Sequence, residues 1–501
     1  MTATTTTELV ETAPVAAAGS SGKSWFRAVR LLVGLLLCGL IAVAVGVGVA
    51  KVADRQSLLV LAVGVVLAGA LAFLAATRFA LFLLVLLVFR ASLDALKPGG
   101  LGGNSVTSPG VLVGGVLLLA SLLWLFAERA AGRLVRPSRT AMWLFAVACA
   151  ALLSTVGSQA PSDSLQTALR VFAGAMTFIV LEQLLVRRPR YVRGLLVAAA
   201  LSLVIPAAQA LRQLLSPDEN FAFTNVSRIQ GTFVHPNSFA AYLVVIAATA
   251  LAVVFFSRGA ARTVAVVVCA VSSTLLLFTY ARGAWAAWIV GALYLLGRRN
   301  RKLVGALIVG AVALVLFVPS INSRVSDLGG APPVQIGDGT ANSLEWRLEY
   351  WQDILPLWQE NPMTGIGIDQ VASRTAAAAE PHNGFVQVLV ETGVLGLVSL
   401  VGLVVALWRD LAAARRRAVT DVDRWLAFGA TAVAAGFLLQ FVTENLLTQV
   451  AIHIYLWIPI AYATSTLLRT DDAEDPRAQT SVVPESVVPD RLNRSATRRR
   501  T

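Results

Sequence analysis

The stretch SFAAYLVVIAATALAVVFFS, residues 238–257, runs for twenty residues without a charged side chain. An α-helix rises about 1.5 Å per residue, so a run of this length crosses a hydrocarbon core of about 30 Å. Hydropathy over such a window is the main signal of a transmembrane helix. The stretch therefore predicts a membrane-spanning helix and an integral membrane protein around it.

The composition of the whole chain supports the same interpretation. Of its 501 residues, 57% are hydrophobic and only 14% are charged, and the mean hydropathy is +0.73. An average soluble domain has about a quarter of its residues charged. The formal net charge of +13 could indicate nucleic-acid binding, but the arginines mostly flank apolar runs and no nucleic-acid-binding module lies between them. The charge is therefore interpreted as a signal of orientation in a membrane, with no nucleic-acid partner.

Thirteen other apolar runs have roughly the length of a membrane span. Together with the first run they predict an all-α, polytopic membrane protein with about 12–14 transmembrane helices. The range reflects the run at 79–94, which is short for a span. The other runs lie at 31–50, 57–76, 110–127, 140–156, 168–186, 193–212, 262–280, 283–297, 303–319, 384–408, 425–443 and 449–468.

The distribution of arginines predicts which side of the membrane each loop occupies. Four segments are strongly basic, and counting along the spans places all four on one side, which the positive-inside rule assigns to the cytoplasm. The opposite segments SQAPSDS and TENLLTQ contain no lysine or arginine. Both termini are then cytoplasmic. The basic segments are ERAAGRLVRPSR (128–139), RRPRYVR (187–193), RRNRK (298–302) and RRR (415–417).

The domain organisation follows from the same map. The transmembrane domain covers residues 31–469, and the tails at 1–30 and 470–501 have little to bury, so they are predicted to be disordered and cytoplasmic. The connection at about 320–383 is external and longer than most loops, which indicates function or disorder. The three cysteines lie inside apolar runs without metal-like spacing, so they predict neither a metal site nor a disulfide framework. They are Cys38, Cys149 and Cys269.

The long external connection contains SLEWRLEYWQDILPLWQENP, residues 343–362, in which large apolar side chains recur every three or four residues. This spacing predicts an amphipathic helix that lies on the membrane face or caps a cavity. The helix should stop at Asn361–Pro362, and the glycines of the following MTGIG suit a tight turn. The predicted apolar stripe consists of Leu344, Leu348, Trp351, Leu355 and Trp358.

Unusual polar residues from separate stretches of the sequence converge on the external side. External arginines run against the rule that orients the protein, and a carboxylate about two turns inside a span, Glu391, is expensive to bury and needs a partner. We expect that partner to be an external arginine. The arginine fork matches phosphate oxygens bidentately, so several arginines at this face would suit a lipid-linked phosphate or diphosphate. The residues are Arg228, His235, Asn237, Arg282, Arg347, His382, Asn383, Gln387, Glu391, Glu444 and Asn445.

Each of these residues also has an ordinary structural interpretation. Arg228 and Arg282 could anchor helix ends at the membrane interface, and His235 could be a simple loop histidine. Asn383 could be only a helix N-cap, with the polar residues one and two turns further along the helix forming interhelical hydrogen bonds. His453, inside the last span, suits a hydrogen-bonded core residue, although Asn445, Gln449 and His453 share one helical face.

Four stretches in order carry a resemblance to a known family. They are RIQGTFVHPNSFAAYL (228–243), FTYARGAWAAW (278–288), WRLEYWQDILPLWQENPMTGIGIDQ (346–370) and PHNGFVQVLVETGVLGL (381–397). At these residues the chain resembles the O-antigen ligase/polymerase family of bacterial membrane proteins, which includes exopolysaccharide polymerases and protein O-oligosaccharyltransferases. The resemblance covers about residues 228–397, and the second stretch has ARG where SRG is common in the family.

The resemblance implies a GT-C-like, metal-independent glycosyltransferase without a cofactor. Such proteins assemble cell-surface polysaccharides by moving a glycan from undecaprenyl diphosphate to an acceptor at the outer face of the cytoplasmic membrane. Arg228, Arg282 and Arg347 match the family's arginines and are expected to bind the diphosphate, with Arg324 and Arg374 as alternatives for the last. His382 matches the family's loop histidine.

The chemistry of such a transfer suits these residue types. Preorganised arginines would meet charge developing on the departing diphosphate, and His382 would serve as a base or orient the acceptor. A direct displacement inverts the anomeric centre. The supporting residues are predicted to be His235, Asn237, Asn383, Gln387 and Glu391.

Two other functions compete with the transferase. A membrane solute transporter should place its ionisable residues near the bilayer midplane, often on broken helices in repeated halves, and no internal repeat is evident here. A non-catalytic scaffold of a glycan assembly complex has no distinguishing motif. Within the transferase interpretation the acceptor can be a glycan, a lipid or a protein, because the sequence carries no signature of the acceptor.

Overall fold

The computed structural model describes residues 69–93, 109–216, 221–222, 227–319, 321–322, 334–336, 339–341 and 344–474. The N-terminal tail, the predicted span at 31–50, the first part of the span at 57–76 and most of the C-terminal tail lie outside these residues. Within the described part the chain is mainly helical, with two short antiparallel strand pairs.

The connection at 320–383, predicted to be external, is called the external segment below. The helices before it are α1 Phe79–Arg90, α2 Pro109–Ala130, α3 Arg139–Leu153, α4 Pro161–Arg187, α5 Tyr191–Ser202, α6 Val204–Leu215, α7 Pro236–Phe256, α8 Gly259–Phe278, α9 Arg282–Arg299 and α10 Arg301–Phe317. The later helices are α11 Leu344–Ile354, α12 Val371–Arg374, α13 Gly384–Arg417, α14 Asp421–Phe441 and α15 Val450–Glu474. The strands are β1 Phe221–Ala222 with β2 Ser227–Arg228, and β3 Val334–Ile336 with β4 Gly339–Ala341.

The all-α, polytopic membrane architecture is confirmed. Eight helical segments of the described part are long and apolar enough to cross a membrane. The short run predicted at 79–94 forms α1, a helix of 12 residues that is half buried and shorter than a usual span. The eight segments are Arg139–Gly157, Pro161–Arg187, Tyr191–Leu215, Pro236–Phe256, Gly259–Phe278, Gly384–Arg417, Asp421–Phe441 and Val450–Arg469.

Burial separates a central group of helices from the periphery. In α15, 94% of the most apolar window is buried, and in α7, which forms around the opening stretch of sequence, 72% is buried. By contrast, none of the side chains of α10 is buried, and only 22% of the corresponding window of α8 is. Helices α7 and α15 therefore form the centre of the bundle, while α8 and α10 present apolar side chains outward, as lipid-facing helices do.

Three of the four basic segments meet at one end of the bundle. Arg187 pairs with Glu128 at 2.6 Å, which joins the segment after α4 to the segment after α2. Thr140, at the start of α3, donates a hydrogen bond of 2.9 Å from its hydroxyl to Asp410, close to the basic end of α13. These contacts agree with the predicted placement of the basic segments on one side.

The fourth basic segment lies at the same end. The guanidinium of Arg298, at the end of α9, lies 5.4 Å from the ring centroid of Phe428 in α14. One turn further along α14, Thr431 accepts a hydrogen bond of 2.6 Å from Arg415 of the last basic segment. The polar residues predicted for the external side consequently lie at the opposite end of the helices.

Helix α13 is interrupted at Gly393, where the backbone adopts φ 65° and ψ −165°. The interruption leaves carbonyl and N–H groups on either side of Gly393 without their usual helical partners. The external segment that precedes α12 inserts there and satisfies them with its own backbone. The four bonds are Ile366 N to Val390 O (3.1 Å), Gly367 N to Glu391 O (3.1 Å), Val394 N to Pro362 O (2.9 Å) and Leu395 N to Met363 O (3.2 Å).

Glycines permit this insertion. Gly365 and Gly367 have left-handed φ values of 73° and 102°, as expected for the tight turn predicted from MTGIG. A Cβ on Gly365 would overlap the backbone of Glu391, and one on Gly393 would overlap the backbone of Met363. The ETG pattern of α13 and the TGIG pattern of the external segment are therefore two halves of one backbone interlock.

The amphipathic helix forms, but its buried side differs from the predicted stripe. Tyr350 and Ile354 are buried, with Trp346 packed beside them, whereas Leu348 is 48% exposed and Leu355 is 38% exposed. The helix packs through its bulky aromatic side chains onto the inserted segment and α13, and the two exposed leucines remain available to a membrane surface. The helix ends at Ile354 and continues as a 3-10 turn, since Pro356 cannot donate a backbone hydrogen bond.

Candidate active site

Polar side chains at the end opposite the basic segments converge on one carboxylate, Glu444. The guanidinium Nη2 of Arg228 donates to Oδ1 of Asn237 at 2.6 Å, and Nδ2 of Asn237 donates to Oε1 of Glu444 at 2.7 Å. The other carboxylate oxygen, Oε2, lies 3.9 Å from Nδ1 of His382. The structure thus connects three of the predicted site residues, Arg228, Asn237 and His382, through the carboxylate of Glu444.

Arg228 is held where the short strand β2 meets the end of α8. Its backbone pairs with Phe221 of β1, and the next residue, Ile229, donates from its backbone to the carbonyl of Phe278 at 3.3 Å. The side chain is only 6% exposed and donates from Nε to the carbonyl of Thr279 at 2.8 Å. These contacts fix the guanidinium beside the hairpin between α8 and α9.

Arg282 is the first residue of α9. Its Nη1 atom is buried and has no hydrogen-bond partner among the described residues. A helix N-terminus carries a partial positive charge, so the position combines two cationic features that attract an anion. Tyr280, two residues earlier, has a left-handed φ of 51°, a strained conformation for a bulky residue that is common at functional sites.

Arg347 enters the same region from the external helix α11. Its Nη1 donates to the carbonyl of Thr443 at 3.3 Å. Burial lowers the pKa of Arg347, the charge of Glu444 opposes this, and the neighbouring charge of Arg282 lowers the pKa further. Two like charges are therefore held near each other, an arrangement that a bound anion would stabilise.

Arg374 and Arg324 were the alternatives to Arg347 for binding the diphosphate, and the structure does not place either of them beside Arg282. Arg374 donates from Nη2 to both carboxylate oxygens of Glu360 at 2.9 Å, so its charge is satisfied elsewhere. Arg324 lies outside the described residues. Of the three arginines considered for this position, Arg347 is the one that the structure places beside Arg282.

His382 stands immediately before α13 in a left-handed conformation, with φ 50°. Its side chain is 31% exposed, so it can reach both Glu444 and an incoming molecule. The backbone on either side is fixed, because Trp351 donates to the carbonyl of Pro381 at 2.7 Å and Asn383 caps the helix. The cap oxygen of Asn383 accepts from the N–H groups of the second and third residues of α13 at 2.9 and 3.2 Å.

Glu444 was noted in the last external connection but was given no role by the sequence analysis. Burial raises its pKa, but His382, Arg347 and the hydrogen bond from Asn237 outweigh burial, and the pKa of Glu444 lies below its usual value. The carboxylate is therefore ionised near neutral pH. The sequence did mark this glutamate as unusual, since no lysine or arginine in the same short segment could neutralise it. Its role was not predictable, because its partners are remote in the sequence.

His235 caps the start of α7 with its imidazole. Its Nδ1 accepts a hydrogen bond of 3.1 Å from the backbone N–H of Asn237, which requires an unprotonated Nδ1. Burial, followed by the charge of Arg228, lowers the pKa of His235 to about 4. The residue is consequently neutral at pH 7 and holds Asn237 in place.

The two polar residues further along α13 do not meet the arginines. Glu391 is 2% exposed and its Oε1 accepts from the backbone N–H of Val371 at 3.3 Å. The expected arginine partner was therefore wrong, because the inserted external segment supplies backbone donors at that depth. Gln387, also 2% exposed, lies one turn closer to the candidate site.

The segment that carries His382 is tied to the segment that carries Glu444 by a second contact. Nδ2 of Asn445 donates to Oε2 of Glu380 at 2.6 Å. Burial raises the pKa of Glu380, and the hydrogen bond from Asn445 opposes that shift. The carboxylates and histidines of the described residues form no group of three or more that could hold a metal ion.

An apolar cavity of about 60 Å³ lies between α3, α4, α13, α14 and α15. Its lining includes Phe441 and Leu447, which flank the connection containing Glu444, and it includes His453 from α15. His453 packs against the rings of Phe437 and Trp457. It thus belongs to the cavity wall and is not part of the contacts around Glu444.

Comparison with protein families matches residues 265–401 to the family described as O-antigen ligase. This segment is therefore similar to the O-antigen ligases. The predicted family resemblance is confirmed, and the matched segment includes Arg282, Arg347 and His382 together with the interlock at Gly393. Arg228 and Glu444 lie outside the matched residues. None of the curated proteins searched matches the chain.

Proposed function

We propose that this O-antigen ligase-like protein transfers a glycan from undecaprenyl diphosphate to an acceptor hydroxyl at the outer face of the cytoplasmic membrane. The family supports a membrane enzyme of glycan assembly. One observation carries the finer proposal: the buried Nη1 of Arg282, which has no partner among the described residues, lies with Arg347 at the same end of the bundle as His382 and Glu444.

The arginines would bind the diphosphate of the donor. A guanidinium whose Nη1 lacks a protein acceptor is preorganised for an oxygen that arrives with a ligand. As the bond between the anomeric carbon and the phosphate oxygen breaks, negative charge grows on the leaving diphosphate. Fixed cationic groups that meet this charge lower the barrier, because their orientation is established before the reaction.

His382 would act on the acceptor. The acceptor oxygen forms a bond with the anomeric carbon, its proton passes to the imidazole, and the diphosphate leaves with the electron pair of the broken bond. This direct displacement inverts the anomeric centre. The chain's own residues supply the base and the cationic groups, so we propose that the reaction requires neither a metal nor a cofactor.

The placement of the polar groups favours a transferase over a transporter. The described contacts of Arg228, Arg347, His382 and Glu444 lie at helix ends and connecting segments, whereas a transporter places its ionisable groups near the bilayer midplane. Since the four basic segments meet at the opposite end and would be cytoplasmic, the candidate site would be external. Both termini would then be cytoplasmic.

The proposal is tested with purified protein in lipid nanodiscs and undecaprenyl diphosphate-linked oligosaccharide. Release of undecaprenyl diphosphate is measured with a glycan, a lipid or a protein as acceptor, which also identifies the class of acceptor. We expect His382→Ala and Arg282→Ala each to lower the turnover about a hundredfold or more, the range for loss of a general base or a charge-stabilising donor.

Arg374→Ala is the matched control, because Arg374 is an external arginine whose partner is Glu360. It should retain wild-type turnover. Undiminished turnover in both site variants contradicts the assignment of the site. A wild-type protein that consumes no lipid-linked donor with any acceptor contradicts the transferase itself.

A further inference from the structure

Among the described residues, Glu444 joins the arginine side of the site to the histidine side, because its two carboxylate oxygens face different groups. Oε1 receives the hydrogen bond of 2.7 Å from Asn237, which in turn receives one of 2.6 Å from Arg228. Oε2 faces Nδ1 of His382 at 3.9 Å. Its side chain is 20% exposed, so the contacts are partly shielded from water.

The groups that bring these atoms together come from four separate elements. Asn237 stands at the start of α7, Arg347 belongs to α11, His382 precedes α13, and Glu444 lies between α14 and α15. The titratable neighbours that face the carboxylate are His382, Arg347, His235 and Glu380. Of these neighbours Arg347 is permanently cationic, and the Glu444 carboxylate serves as its counter-ion.

We propose that Glu444 is a positioning residue that orients the imidazole of His382 and stabilises it once it has taken the proton of the acceptor. The inference rests on the proposed transferase function. A distance of 3.9 Å exceeds a hydrogen bond, but such contacts are often long without substrate and shorten in the reacting complex. Glu444 keeps its charge throughout, and the proton stays on His382 until it leaves with solvent.

This arrangement also couples the two sides of the reaction. The amide of Asn237 accepts from Arg228 through its oxygen and donates to Glu444 through its nitrogen. A diphosphate bound beside Arg228 would therefore be linked to the carboxylate through Asn237. In this way the donor would help to position the base that activates the acceptor.

The first test compares Glu444→Gln, Glu444→Asp and the control Glu360→Gln in the donor-release assay. Glu360 is an external carboxylate paired with Arg374, and its replacement should leave turnover unchanged. Glu444→Gln retains the shape and the hydrogen bond from Asn237 but removes the charge. We expect kcat to fall about tenfold or more with little change in the KM of the donor, and Glu444→Asp to restore part of the loss.

The pH profile separates positioning from a purely structural role. An anion beside an imidazole favours its protonated form, so the acid limb of the kcat profile should move to lower pH in Glu444→Gln. Wild-type kcat and an unmoved acid limb in Glu444→Gln overturn the inference. A wild-type protein without donor turnover instead overturns the proposed function, so the two failures are distinguishable.

A second measurement does not depend on turnover. Diethyl pyrocarbonate modifies neutral imidazole, and mass spectrometry resolves the peptide of His382 from those of His235 and His453. We expect the midpoint of His382 modification to move to lower pH in Glu444→Gln and to stay in place in Glu360→Gln. Identical midpoints in wild type and Glu444→Gln show that the carboxylate does not act on His382.

Discussion

At the scale of single residues, His382 and Tyr280 share an uncommon backbone conformation, with φ values of 50° and 51°. A non-glycine residue in the left-handed region costs about 1–3 kcal/mol and persists only where its surroundings impose it. Both lie at the candidate site. Tyr280 stands two residues before Arg282, and His382 is the candidate base. The sequence predicted the identities of these groups, but no local pattern announced the strained backbone that presents them.

A prediction at this scale concerns His235, whose pKa is lowered to about 4 by burial and by Arg228. An unfolded histidine has a pKa near 6.5, so between pH 6.5 and 4 the unfolded chain binds a proton that the folded protein does not. The stability contributed by neutral His235 is therefore fully present above pH 6.5 and is lost as the pH falls toward 4. Thermal unfolding at pH 7 and pH 5 should show this loss.

His235→Asn supplies the comparison, because asparagine caps a helix without titrating in this range. We expect its melting temperature to fall less than that of the wild type between pH 7 and pH 5. An equal fall in both proteins contradicts the assignment of the pH dependence to His235.

At the scale of elements, the interlock between α13 and the external segment determines where the site forms. The kink at Gly393 and the turn at Gly365–Gly367 exchange four backbone hydrogen bonds, and the segment then leads through α12 to His382. The order of the motifs made them recognisable as a family pattern. Their mutual contact was not predictable from spacing, because it depends on hydrogen-bonding groups that the kink exposes.

Gly393→Ala tests the interlock. The added Cβ would overlap the backbone of Met363 at a position with φ 65°, so both space and conformation oppose it. We expect a loss of about 2 kcal/mol or more in unfolding free energy, the range of overpacking combined with an unfavourable φ. Gly310→Ala in α10 is the control, since a Cβ there meets nothing within 4 Å. It should be neutral or stabilising by about 0.5–1 kcal/mol.

Unfolding of both glycine variants in detergent is followed by the loss of helical circular dichroism. A Gly393→Ala protein as stable as Gly310→Ala would show that the external segment does not need the kink.

At the scale of the whole molecule, the basic segments and the candidate site occupy opposite ends of the helices. The contacts of Arg187 with Glu128 and of Arg415 with Thr431 lie at one end, and the group around Glu444 lies at the other. An orientation with the basic end in the cytoplasm places the candidate site where lipid-linked glycans would be consumed outside the cell. The positive-inside rule supplies that direction.

Cysteine labelling of intact cells measures this orientation, after Cys38, Cys149 and Cys269 are replaced by alanine. We expect Gly339→Cys, in β4 of the external segment, to react with a membrane-impermeant maleimide. Val419→Cys is 83% exposed next to the last basic segment and should react only after the membrane is permeabilised. The reverse pattern would invert the protein and place the candidate site in the cytoplasm.

The membrane class, the all-α architecture, the positions of the long helices and the family resemblance were predictable from the sequence. Hydropathy, arginine distribution and ordered motifs are properties of the linear chain, so they can be read without coordinates. Three features became visible only in the folded protein: Glu444 lies between Asn237 and His382, Glu391 accepts from the backbone, and Leu348 and Leu355 are exposed. Those contacts join residues up to 207 positions apart in the chain, and packing alone brings them together.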